Sequence, residues 1–460
     1  MKRAFQFISA IILTLSTGVA ALSQSSYTAQ EATEDYEFLI KQIQTYNPAL
    51  EIYNPDFVAK SNQLISATPE EANAFDHFKT ISKIAALSNE GHFLLGNWED
   101  EVHLPIVEDR LPYLPFEVWV IDKRLLIRLD LTNEGAFTPG DEIVQINGKP
   151  SEEILNELYE CYPSDGDIVT YQRAKIESNF AWMYTLYISQ DPNLELEIKK
   201  SNDSAVRTVQ TAALVRTVRL ENYRKRYPDR ANSNQEESIQ DFYELKITNG
   251  LATLKLKTFD FRFIEKYELK APKFYEDIFK KVHESEVSTL LVDLRGNTGG
   301  RNEFADEMIP FILQSEGDEL LKTTTSWEGK VRKYAFPKKD KFAFGGAIFL
   351  LVDGETYSAG ASLARYLKEY GKAIVIGEET GTRYEGFVAG STQLVTLPAS
   401  GIKIGMPRYH IQYPDSKQQE TQNRGLIPDY TVSKNLDDLL GEFDPVLDKA
   451  LSLIKANKKP

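Results

Sequence analysis

Hydrophobic and polar positions change period along the chain, and each change marks a different kind of element. Between about residues 30 and 95, Tyr36, Leu39, Ile40 and Ile43 recur at helical spacing behind Glu34, Asp35 and Glu37, whose charges suit a helix start. Thr68, Pro69 and Glu71 spell a capping box with proline at the first helical position, and Ala74, Phe78, Ile81 and Ala85 then form one apolar face. This predicts a small helical bundle ending near Gly91-His92. From about 112 to 215 short strands are expected, centred on Ile143, Gln145 and Ile146 ahead of an Asn147-Gly148 turn, with a helix over 151–159. Residues 216–240 are charged and polar and read as a linker. Beyond them, apolar runs at 252–256, 289–294, 347–351 and 373–376 alternate with helical stretches at about 271–284, 302–314 and 359–370. That alternation predicts an α/β domain with a parallel sheet and crossover helices.

The N-terminus departs from all of this. Lys2 and Arg3 precede an apolar run over residues 5–15, and small residues lead to Ala21-Leu22-Ser23. The pattern is that of a signal peptide over 1–23 with Gln24 as the first mature residue, which implies export to a periplasmic or secreted location. The run is short for a permanent span, so an uncleaved signal anchor is the alternative and no other membrane contact is expected. The predicted division is then a helical domain over 24–105, a β-rich domain over 106–215, the linker 216–240, the α/β domain 241–440 and a C-terminal helix or tail over 441–460.

Charge narrows the partners. The formal charge of −15 becomes −17 without Lys2 and Arg3, and such a surface repels phosphate backbones and anionic lipid. Nucleic acid is therefore not expected as a partner. The single cysteine, Cys161, excludes an internal disulfide. No histidine, cysteine and carboxylate cluster has metal-ligand spacing and no dinucleotide fingerprint occurs, so neither metal nor cofactor is expected.

Two strand-to-helix junctions hold the candidate chemistry. In the first, Leu291-Val292-Asp293-Leu294 runs into Arg295-Gly296-Asn297-Thr298-Gly299-Gly300. A glycine-rich turn exposes backbone N–H groups that can receive an anion, but the Gly-Lys-Ser/Thr ending of a nucleotide loop is missing. An oxyanion hole and a plain tight turn both remain open. In the second, a strand ends in Val352-Asp353-Gly354-Glu355-Thr356-Tyr357, and a helix starts at or just after Ser358. A serine there is ordinarily an N-cap. The same position suits a nucleophile, because the helix start favours developing negative charge and Ala359 and Gly360 leave room for a substrate carbonyl.

The ordered phrases "LLVDLRGNTGG", "VDGETYSAGA" and "YGKAIVIGEETGT", followed by "GLIPD" at 425–429, resemble the signature blocks of the C-terminal-processing peptidase family. Its members include tail-specific proteases, tricorn core proteases and interphotoreceptor retinoid-binding protein. The resemblance implies a catalytic domain of the crotonase/Clp-protease-like spiral type. It also implies an upstream PDZ-like domain, and residues 138–150 are similar to a frequent PDZ phrase, although the carboxylate-binding loop of those domains has no recognisable counterpart. Ser358 matches the family nucleophile, and the backbone N–H groups of Ala359 and of Gly299 or Gly300 match its oxyanion donors. The general-base lysine of the tail-specific branch falls on Arg383, which cannot accept a proton and is left to bind a substrate carboxylate or to form a structural ion pair. Leu87-Ser88-Asn89-Glu90-Gly91-His92 resembles the histidine phrase of the tricorn-type branch, which implies His92 as general base. A glutamate expected before "GLIPD" corresponds by spacing to Gln422, with Glu420 the nearest carboxylate. The implied activity is that of a serine endopeptidase acting on polypeptide, and the alternative is an inactive relative binding an apolar ligand or peptide.

Overall fold

Helical periodicity in the N-terminal region becomes a set of packed helices. Tyr36, Leu39, Ile40 and Ile43 are all buried on the helix Ala29–Tyr46, which Thr28 and Glu31 close with a reciprocal capping box. The helices Phe57–Ile65 and Ala74–Ala86 follow, and Ala74, Phe78, Ile81 and Ala85 form the buried face of the latter. The start of that helix differs from expectation. Glu71–Asn73 is a strand paired with Ser26–Thr28, the cap is Asn73, whose side chain accepts from Asp76 N–H at 2.9 Å, and Thr68 Oγ1 donates back to Ile65 O. Pairing with the chain's own N-terminal strand outweighs the local capping signal. The computed structural model describes residues 26–96, 99–201, 203, 205–231, 238–314, 320–414 and 422–457, so the signal segment and Glu420 lie outside the described residues. Among the described residues, no helix is long and apolar enough to cross a membrane.

The middle region is an antiparallel sheet in the order Phe116–Ile121, Arg124–Asp130, Glu142–Ile146, Asn193–Lys199, Val206–Ala212. Asn147 and Gly148 both take positive φ, as a two-residue hairpin turn requires. Between the third and fourth strands lie the helices Ser151–Cys161 and Val169–Tyr187. The second has no counterpart in the sequence reading. Residues 183–187 are buried all round, so its last turns carry no helical stripe.

Part of the expected linker is helical. The helix Arg216–Arg226 docks on the middle sheet, with Arg219 stacked 4.1 Å from the Tyr113 ring and Arg226 Nη1 3.0 Å from Asp130 Oδ1. Its contacts come from long cationic side chains, which apolar periodicity does not register.

In the C-terminal region the strands Leu251–Leu256, Thr289–Asp293, Ala347–Val352 and Ile374–Gly377 pair in parallel, with Tyr243–Thr248 antiparallel on one edge and Tyr430–Thr431 parallel on the other. The helices Ala271–Glu284 and Ala359–Glu369 cross over between them. The helix expected over 302–314 is split into Glu303–Asp306 and Ile309–Ile312, because Pro310 starts a new helix and cannot continue an old one. Helix Pro445–Asn457 covers the sheet's other face, packing Val446, Ala450 and Ile454 on Leu291, Phe349, Leu351 and Ile376.

A second, antiparallel sheet joins the regions. Its long hairpin, Gly386–Thr396 with Lys403–Gln412, buries Phe387, Ala389 and Ile411 in the C-terminal core. Its far end buries Val395, Ile402, Ile404 and Met406 in the core shared by the N-terminal helices and the middle sheet. Leu94–Leu95 pairs with Ile404 and Gly405 on the hairpin's edge, so the segment just after His92 is tied to the C-terminal region.

Candidate active site

The two junctions predicted from the sequence lie against each other. Strand Thr289–Asp293 is buried along its whole length, and the turn after it is built by side chains that bond to backbone. Asp293 holds the Arg295 guanidinium through two 2.9 Å hydrogen bonds, and Asp444 takes a third at 2.8 Å. Asn297, fully buried, donates from Nδ2 to Leu256 O at 3.0 Å and accepts from Gly299 N–H at 2.9 Å. Across the gap, Asp353 accepts from Gly296 N–H at 3.0 Å, and burial pushes its carboxyl above the usual range. Tyr357 N–H donates to Asn297 O at 3.0 Å.

Glycine is required where the turns touch. A Cβ on Gly299 would lie 2.7 Å from Ala359 N and 2.9 Å from Ser358 Cβ, and one on Gly300 would lie 2.0 Å from Phe259 O. The Gly299 N–H is already committed to Asn297, so of the expected oxyanion donors it is the amides of Gly300 and Ala359 that remain for a ligand.

Ser358 does not cap the helix that follows it. Its φ of 53° and ψ of −124° are strained for a residue with a Cβ, and no side-chain capping bond forms. Such a conformation costs on the order of 1–3 kcal/mol and persists only where the surroundings enforce it. Here they do, because Thr382 Oγ1 accepts from Ser358 N–H at 2.7 Å and holds the backbone from outside the turn. A capping serine instead sits in a relaxed extended conformation with its hydroxyl on the backbone.

His92 reaches this turn from the N-terminal region. Its ring stacks on Tyr357 at 4.5 Å between centroids and on Phe387 at 5.4 Å. Nδ1 lies 2.8 Å from the Tyr357 hydroxyl, while Nε2 is buried without a hydrogen-bond partner. Burial lowers the imidazole below its ordinary value of 6.5, and the Asp165 carboxylate, 4.0 Å from Nδ1, opposes that shift. Burial also holds the Tyr357 hydroxyl far above its ordinary value, so it stays neutral.

Other expected residues lie elsewhere. Arg383 is 1% exposed and cannot receive a substrate carboxylate as it stands. Its Nη1 is 3.2 Å from Glu90 Oε1, its Nη2 donates to Asn89 O at 2.6 Å, and its guanidinium covers the Tyr53 ring at 3.6 Å. Of the two roles left open for it, the ion pair is the one formed, and it clamps the loop that carries His92. Gln422 is exposed in a turn, and Glu420 is outside the described residues. Sequence reasoning missed Asp165, Tyr357 and Glu90. Nothing in Ser164-Asp165-Gly166-Asp167 distinguishes it from a surface turn, because the carboxylate meets its partners only through the fold.

A cavity of about 620 Å³ opens beside the same loop. Gly91, Phe93, Phe116, Phe180, Trp182 and Arg219 are among its lining residues. Arg219 is buried there with Nη1 lacking a hydrogen-bond partner.

Comparison with known proteins accords with this arrangement. Residues 250–432 match the model of peptidase family S41. Two solved structures of CPAF share the fold over nearly their whole length. A CPAF mutant with one serine replaced by alanine aligns with a TM-score of 0.66 at 13% identity, covering 94% of this chain and 98% of that one. Mature CPAF complexed with lactacystin aligns with a TM-score of 0.64 at 12% identity, covering 93% and 98%. The matched region, residues 250–432, carries the glycine turn and the serine turn and is an S41 peptidase domain, that of a serine-type hydrolase.

Proposed function

We propose that the protein is an endopeptidase that cleaves polypeptide through an acyl-enzyme on Ser358, with His92 as its general base. The observation that carries this reading is the strained backbone of Ser358, whose hydroxyl is not spent on capping, next in sequence to Tyr357, whose ring and hydroxyl hold an imidazole with a bare Nε2. The Ser358 Oγ attacks the scissile carbonyl carbon as its proton passes to His92 Nε2. The oxyanion receives hydrogen bonds from the Gly300 and Ala359 amides at the start of helix Ala359–Glu369. His92 returns the proton to the leaving amine, the C–N bond breaks, and water then hydrolyses the ester by the same steps in reverse. Glu420 or Gln422 orients another group of the site by hydrogen bonding, and the protein works after export.

The catalytic domain in this reading is of the crotonase-like spiral type, and the middle sheet with its helices acts as a PDZ-like domain. Its cavity takes an apolar segment of the substrate chain, with Nη1 of the Tyr113-stacked Arg219 left to hydrogen-bond a terminal carboxylate. The same cavity favours the second reading, a protein that binds an apolar ligand and does not cleave. Labelling of the mature protein with a fluorophosphonate probe separates the two. Labelling is expected in the wild type and is expected to vanish in Ser358→Ala and His92→Ala. Labelling that survives Ser358→Ala removes the nucleophile, and no labelling with tight binding of an apolar ligand selects the second reading.

A further inference from the structure

The 164–167 loop of the middle region meets the loop that carries His92, and it brings a buried carboxylate that acyl transfer by Ser358 and His92 leaves without a role. Asp165 has no exposed side-chain surface. Its Oδ1 accepts from Gly91 N–H at 2.6 Å and lies 4.0 Å from His92 Nδ1, and its Oδ2 has no hydrogen-bond partner. The loop has little freedom to move. Gly166 N–H donates to Asn89 O at 3.1 Å, Ser164 Oγ donates to Ile168 O at 2.7 Å, and a Cβ on Gly166 would lie 2.4 Å from Asn423 O.

We propose that Asp165 is a positioning residue that keeps the His92 proton on Nδ1, so that Nε2 faces Ser358 as the free base. The inference rests on the Ser358 and His92 reading given above. Tyr357 alone does not fix the tautomer, because its hydroxyl can accept from Nδ1–H or donate to a bare Nδ1. A carboxylate on the Nδ1 side breaks that tie, since a proton on Nδ1 sits closer to the negative charge than one on Nε2. When Nε2 takes the serine proton, the same charge stabilises the imidazolium. The other groups around the ring do not compete. Tyr357 is neutral, Phe387 is apolar, and the Glu90 carboxyl, which burial raises to about 8, is bonded to Arg383 at 3.2 Å and not to the ring.

The test follows the rate of fluorophosphonate labelling against pH in the full chain. Asp165→Asn keeps an oxygen for Gly91 N–H and removes only the charge. Labelling is expected to slow by roughly 10²-fold, and the acid limb of the profile is expected to move to lower pH, because the charge that raised the imidazole is gone. Asp165→Glu is expected to restore part of the rate. A variant with lower thermal stability but an unmoved acid limb would mean that Asp165 only supports the loop, and the proposal fails. Nitrogen NMR of His92 in the wild type gives a check that needs no variant: protonation at Nε2 in the resting protein overturns the proposal. Labelling that survives Ser358→Ala or His92→Ala instead overturns the reading beneath it, whatever Asp165 does.

Discussion

Glu90 and His92 stand two residues apart on one loop, yet their surroundings could hardly differ more. Glu90 is sealed between regions: Arg383 reaches Oε1 at 3.2 Å and Val388 N–H donates to Oε2 at 3.0 Å. Arg383 is itself held by Asn89 O and the Tyr53 ring, with only Nε unpartnered. At His92 one nitrogen meets Tyr357 and the other meets nothing. Buried polar atoms are normally satisfied, so the completed cluster is what closes the loop onto the C-terminal domain, and the incomplete one is where a reacting proton can go. In the proposed mechanism, one loop divides rigidity and reactivity between alternate residues.

The widest break in that comparison comes at the incomplete end. His92→Ala or Ser358→Ala is expected to slow turnover or probe labelling by about 10⁴-fold or more while leaving thermal unfolding nearly unchanged. A similar loss of stability in both would show that this end, too, is structural. At the sealed end the signs reverse. Glu90→Gln leaves the buried Arg383 charge without its partner and is expected to cost about 3–5 kcal/mol in denaturant unfolding. Equal stability of Glu90→Gln and wild type would remove the pair as the clamp.

Protons probe both ends in one titration series. His410 belongs to the sealed cluster: its Nε2 lies 2.9 Å from the Tyr53 hydroxyl, and burial with the Arg383 charge lowers it to about 4. Its folded value lies below its unfolded one, so the unfolded chain takes up the proton first as pH falls. The stability due to the neutral ring is therefore complete above about pH 6.5 and is lost progressively down to about pH 4, amounting to about 3 kcal/mol. His410→Asn is expected to flatten that part of the stability profile, and an unchanged slope would discount the burial of the ring. At the incomplete end the pH effect appears in rate. The acid limb of labelling is expected below pH 6.5, because burial lowers His92.

Much of this was readable from the chain, for reasons that differ by element. The parallel strands announced themselves because strands buried on both faces are continuous apolar runs, as in Leu290, Leu291 and Val292. Ser358 and the glycine turn were legible because their backbone demands restrict the sequence over several neighbouring residues. The hairpin 386–412 was not, since its two ends enter different cores and its register depends on both. Nor were Asp165 and Glu90, whose partners lie 74 and 293 residues away. A carboxylate's role there is decided by what folds against it and leaves no local trace.

The smallest effect tests how far the loop depends on the helix that leads into it. Helix Ala74–Ala86 ends one turn before Asn89, so fraying at its start reaches His92 only by loosening the whole element. Two residues compete for the role of cap. Thr68 has the sequence signature, but its hydroxyl donates to Ile65 O, whereas Asn73 accepts from Asp76 N–H at 2.9 Å. Asn73→Ala is therefore expected to cost about 1 kcal/mol by urea unfolding, with the labelling rate of folded protein unchanged. Thr68→Ala should leave this helix intact. If the costs were reversed, the helix would begin where the sequence alone suggested, and the strand Glu71–Asn73 would not hold against it in solution. If Asn73→Ala slowed labelling as strongly as Glu90→Gln destabilises, the division of the loop into a clamped and a reactive half would fail, because both would then hang on the helix and not on the contacts across the domains.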